Sequence, residues 1–62
     1  MCLSTIYIDD GNQRKEICNN IMSIKVENEK VICTNLLGIT KEIIGTIQDI
    51  NLMDNYVVIQ TK

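Results

Sequence analysis

The sequence predicts an all-β domain, a small barrel or sandwich of roughly five to seven short antiparallel strands. Three observations lead there. Isoleucine, valine and threonine are abundant while proline, tryptophan and phenylalanine are absent, which favours strands over helices. Turn signals recur at spacings of about 8–12 residues. No segment carries helical periodicity for more than about two turns.

The first strand is expected at Leu3 to Ile8, with Leu3, Thr5 and Tyr7 on one face and Ser4, Ile6 and Ile8 on the other. Both faces are partly apolar, as expected where a strand crosses a small barrel or meets a second subunit. Asp9-Asp10-Gly11-Asn12 is a turn, because glycine and asparagine tolerate positive φ and aspartate bonds its own backbone. A short strand follows over Arg14 to Cys18, and Asn19-Asn20 ends it. Ile21 to Val26 alternates, and Met22, Ile24 and Val26 are assigned to the interior. Glu27-Asn28-Glu29 is a hairpin loop, and Lys30 to Thr34 returns as its partner strand. The Leu36-Leu37 pair lies in a connection from Asn35 to Gly38. Ile39 to Ile44 fits a strand or, in part, a helical turn, and Gly45 interrupts it. Thr46 to Leu52 is a strand of poor alternation, Met53-Asp54-Asn55 a turn, and Tyr56 to Thr61 a final β-branched strand. The apolar run YVVIQ would aggregate if left bare. It is assigned as a central strand, with pairing across a dimer as the other way of covering it.

A chain of 62 residues makes one domain, 1–62. It buries only about 60% of the surface its unfolded form exposes, so a partner subunit or a metal is an expected staple. No signal peptide is recognisable, and no apolar run reaches the roughly 18 residues of a membrane span. The expected location is the cytoplasm, where the three cysteines, Cys2, Cys18 and Cys33, stay reduced. No CxxC pair is present, which argues against a self-contained zinc site. Histidine is absent, removing the commonest general base and metal ligand. Without histidine, a nucleophile–base pair or a phosphate loop, the sequence gives no basis for an enzyme.

The stretch Met1-Cys2-Leu3-Ser4, running straight into a strand, resembles the CooT family of small nickel-binding proteins, some of which have been described as predicted RNA-binding proteins. The Gly11 turn and the Lys15-Glu16-Ile17 segment share the resemblance, which covers nearly the whole chain in length and strand rhythm. It implies a small SH3-like barrel that dimerises, a Ni(II) site built from the N-terminal cysteine, and a role in nickel delivery or in maturing a nickel enzyme such as carbon monoxide dehydrogenase. Cys18 departs from the family pattern, standing where a small turn residue such as glycine is expected.

With Met1 removed, Cys2 would offer an α-amine and a thiolate that close a five-membered chelate on one ion. Both donors must lose a proton, so binding would depend on pH. The amide nitrogen of Leu3 could add a donor. Nitrogen and thiolate together suit Ni(II) or Cu(II). One chain supplies too few ligands to close the site, and a two-fold axis beside the N-termini would double them. Cys33, mid-strand, is expected in the core, and Cys18, at the edge of a turn, is expected to be structural. The carboxylates Asp9, Asp10, Glu27, Glu29, Asp49 and Asp54 are expected to be solvated in turns, and Asp9-Asp10 lacks the spacing of a calcium loop. Tyr7 and Tyr56 are expected to pack their rings in the core or the dimer interface.

Two other readings compete. A small barrel could bind single-stranded RNA, but that needs a basic groove and stacking aromatics. Six basic residues face eight acidic ones here, and the nearest thing to a patch is Arg14-Lys15 with Lys25 on neighbouring expected strands. A metal-free adaptor that docks on a larger enzyme would account for the small size and apolar strands.

Overall fold

The computed structural model describes residues 3–61. Six strands form one mixed sheet: β1 (Ser4–Asp9), β2 (Arg14–Glu27), β3 (Lys30–Asn35), β4 (Thr40–Ile44), β5 (Thr46–Asn51) and β6 (Tyr56–Gln60), in the spatial order β4-β3-β2-β1-β6-β5. The described residues form no helix, so the all-β class holds and Ile39 to Ile44 resolves as a strand from Thr40. The expected all-antiparallel arrangement does not hold, because β1 and β6 run parallel. Local hairpins impose antiparallel pairing on their neighbours, but β1 and β6 are distant in the chain and no turn dictates their direction.

The expected small barrel is corrected to an open, curled sheet. β4 and β5 occupy opposite edges of the sheet, yet only Gly45 separates them in the chain. The sheet must therefore curl until its edges meet at that residue. No ladder joins β4 to β5, so the edges touch at a corner without zipping together. At the corner, the Gly45 N–H donates to the Glu29 carbonyl at 2.8 Å, and a Cβ on Gly45 would overlap the carbonyl oxygen of Gln60. Glycine is required here for close approach.

The two strands expected on either side of Asn19-Asn20 are one strand, β2. Asn20 takes φ 56° without ending it. Between the pairs Ser4↔Ile21 and Ile6↔Cys18, β2 spends one residue more than β1, which marks a bulge; a second shift follows at Ile6/Tyr7 and a third, against β3, between Ile21 and Ser23. Bulges bend a strand and raise its twist, and these let one long strand serve both halves of the curl. They also reset the alternation. Ile21 is buried, Ile24 is partly buried against the core, and Met22 and Val26 face solvent, contrary to the expected inward set. The poor alternation of β5 has the same cause, a register shift between Ile47 and Asp49.

The core is Ile6, Ile21, Val31, Cys33, Ile43, Val57 and Ile59. Val58 is also fully buried but stands outside that cluster. Alternation puts it on the opposite face from Val57 and Ile59, in register with Tyr7. On that face the Tyr7 and Tyr56 rings meet edge to face, with centroids 5.7 Å apart. YVVIQ is thus an interior strand, covered by β1 and β5.

Candidate functional site

The ladders place one row of residues along a single rim of the sheet. Asn35 stands beside Ile21, Ile21 beside Ser4, Thr5 beside Tyr56, and Tyr56 beside Asn51. The chain enters β1 at this rim, and the β3–β4 and β5–β6 turns both project from it. Hydrogen bonds tie each turn to the row: the Leu36 N–H donates to the Asn20 carbonyl and the Thr5 N–H to the Asn55 carbonyl, both at 3.0 Å.

Asparagine side chains shape these turns. Asn35 Oδ1 accepts the N–H groups of Leu37 at 2.9 Å and Ile39 at 3.0 Å, and Gly38 takes the left-handed conformation that follows. Asn51 Oδ1 accepts the Asp54 N–H at 2.7 Å, and Asn55 sits at φ 58°. The polar side chains thus turn inward to the backbone while the apolar ones point out. Leu37 is 82% exposed, Leu52 83% and Met53 90%, with Met22, Leu36, Ile39 and Ile50 also exposed at this end. Large apolar side chains gathered at one end mark an interaction surface. Sequence reasoning missed this rim; its one signal was the apolar residues inside turn segments, Leu36-Leu37 and Leu52-Met53.

Cys2, the expected metal ligand, lies outside the described residues. The other two thiols are placed. Cys33 is fully buried in β3, as expected. Cys18 is within β2 rather than beside a turn, and half-buried against the core. Burial pushes the Cys33 thiol up to about 11, with the neighbouring Cys18 adding to the rise and Lys41 opposing it. Burial likewise raises the Cys18 thiol. Both therefore keep their protons at neutral pH. Among the described residues no three His, Cys, Asp or Glu side chains converge to hold an ion.

The acidic loop serves its own turn. Asp9 Oδ1 accepts the Gly11 N–H at 2.9 Å, and Asp10 Oδ1 accepts those of Asn12 and Gln13 at 2.9 and 3.0 Å. The backbone N–H groups of Asn12 and Gln13 hold the Asp10 carboxyl below its usual range. The expected juxtaposition of Arg14-Lys15 with Lys25 on neighbouring strands does not occur, because both belong to β2 and lie toward its opposite ends. Arg14 approaches Asp9 at 4.0 Å, Lys25 meets Glu27 at 3.4 Å and Lys30 meets Glu42 at 3.8 Å. The two tyrosine rings pack edge to face against each other. The described surface thus offers neither the basic groove nor the free aromatic faces that single-strand binding uses.

Residues 1–60 match the family model described as CO dehydrogenase accessory protein CooT. Among solved structures, the chain is similar to that of a protein assigned as a CooT from Carboxydothermus hydrogenoformans, with a TM-score of 0.86 and 18% identity over 98% of each chain. At that identity the likeness is one of fold. No curated protein matches the sequence.

Proposed function

The chain belongs to the CooT family of CO dehydrogenase accessory proteins, and from that membership we propose that it handles Ni(II) for the maturation of such an enzyme, gripping the ion through Cys2 in a homodimer. The observation that carries this reading is where the chain enters the fold. Position 2 lies two residues ahead of Ser4, and Ser4 stands mid-rim, between the apolar β3–β4 and β5–β6 turns. Two rims packed about a two-fold axis would bury those turns and bring the two chain starts together, so that each copy supplies what the other supplies.

The chemistry of the described thiols supports the same choice. Burial in this sheet keeps Cys33 and Cys18 protonated, so neither offers a ready thiolate at neutral pH. With Met1 removed, the Cys2 amine and thiolate would bind the cargo ion together, and both would release a proton on binding. The apolar rim also fits the metal-free adaptor, which would use the same surface to dock on an enzyme.

Native mass spectrometry with and without Ni(II) tests the reading, because it gives Met1 removal, oligomer mass and metal count at once. Cys2→Ser should lose tight nickel binding while its metal-free melting temperature stays unchanged. Equal nickel affinity in that variant would reject the assignment. A parent protein whose melt does not rise with nickel would favour the adaptor, since a ligand of the native state must stabilise it.

A further inference from the structure

The rim row is unlike at its two ends. It crosses β3, β2, β1, β6 and β5, with Ser4 of β1 at its middle. At the β3 end, the chain from Asn35 to Lys41 carries one lysine and no acid. At the β5 end, the chain from Thr46 to Asn55 carries two aspartates, Asp49 and Asp54, and no basic residue. Lys41 and Asp54 are exposed, and among the described residues neither has an ion-pair partner. Shape differs along with charge. Ile21, Asn35, Ile39 and Lys41 are among the residues lining a cleft of about 240 Å³ at the β3 end. At the β5 end Met53, next to Asp54, is 90% exposed.

A two-fold axis that brings two copies of Ser4 together can run along the row or across it. An axis along the row sets each end against its own copy, lysine beside lysine and aspartate beside aspartate. An axis across the row exchanges the ends. We infer that the ends exchange: the Leu52-Met53-Asp54 turn of each copy docks on the β3–β4 end of the other, with Met53 in the cleft and Asp54 on Lys41. This inference rests on the homodimer proposed above and specifies which surfaces it pairs. Each contact then occurs twice, once for each copy. Ile21 and Ile39 give the cleft apolar walls, and methionine, unbranched and flexible, fills irregular gaps of that kind. Opposite charges favour the exchanged arrangement and like charges disfavour the other, which is how charged groups fix the register of an interface.

Sedimentation of the full chain at low ionic strength, where exposed charges act most strongly, tests the exchange. The parent should be a dimer. Lys41→Glu and Asp54→Lys each turn both attractive pairs into repulsive ones, and each should weaken the dimer by about tenfold or more. Carried together they restore opposite charges, and the dimer constant should return to within about threefold of the parent. Both positions are exposed, so the variants should keep their fold, and far-UV circular dichroism checks that they do. If like ends faced each other, each reversal would replace one like-charged pair by another and leave association unchanged. A dimeric parent whose single reversals associate as tightly overturns the exchange and leaves the homodimer standing. So does a double reversal that fails to recover the dimer. A parent that sediments as a monomer overturns the homodimer and the exchange with it.

Discussion

Replacing Gly45 with alanine tests whether the sheet curls as described. Gly45 is not in the left-handed region, so its backbone conformation is open to alanine. On that ground alone Gly45→Ala should stabilise the protein by about 0.4–1 kcal/mol, because it restricts the unfolded chain. The structure reverses the sign. The new Cβ would overlap the Gln60 carbonyl oxygen and press on the side chains of Ile59 and Thr61. The nearest obstacle is backbone, so relief requires β6 to move away from the corner. Such overpacking costs about 3 kcal/mol at the upper end of its range. The net loss is then about 2 kcal/mol, a fall in Tm of roughly 8–16 °C for a domain of this size. Thermal melts followed by circular dichroism, at one protein concentration for parent and variant, measure it. Gly38→Ala is the control. Nothing lies within 4 Å of its Cβ, but its φ is 85°, so it should lose about 1–2 kcal/mol to backbone strain alone. A Gly45→Ala protein that melts at or above the parent temperature would refute the meeting of the two edges at this residue.

The remaining expectations concern the rim and the core. Asn35→Ala strips the acceptor from two exposed backbone N–H groups that water can partly satisfy. It should cost about 1 kcal/mol, seen as a Tm lower by roughly 4–8 °C. If the chain dimerises through this rim as proposed, combining Leu52→Ser with Met53→Ser should shift sedimentation toward a monomer; an unaltered dimer would place self-association elsewhere. The Cys33 thiol ionises at its ordinary value near 9 in the unfolded chain and at about 11 in the folded one. The folded state therefore keeps a proton that the unfolded state has lost. The associated stability is full below about pH 9 and falls as pH rises toward 11, by roughly 2–3 kcal/mol. Urea melts across that range should show a shallower decline in Cys33→Ala than in the parent, and equal declines would mean the thiol does not sense its burial.

Most strand positions can be read from the sequence because β-branched runs and Gly/Asn turns are local signals. Asp9 to Asn12 turns where its side chains can bond the backbone, and Glu27 pairs with Lys30 across the expected hairpin. Three features were not readable, each for a physical reason. Asn19-Asn20 looks like a strand end because left-handed asparagine usually marks a turn, but within a paired strand the same conformation makes a bulge. The separate shift against β3 between Ile21 and Ser23 puts Ile21 inward and Met22 outward, since alternation carries no memory across an inserted residue. The parallel pairing of β1 with β6 depends on the path of the whole chain. The candidate rim was hidden too. Leu36-Leu37 and Leu52-Met53 have no periodicity of their own, and only the ladder places both turns beside the start of β1. Cys2, the metal ligand expected from the sequence and proposed above, lies outside the described residues.

The parallel pairing has a consequence for biosynthesis. β6 sits between β1 and β5, and Val57, Val58 and Ile59 fill both of its faces. Until Tyr56–Gln60 has left the ribosome, the first strand made lacks its neighbour on one side. β1 therefore stays half-covered until β6 has been made, and its pairing is completed only then.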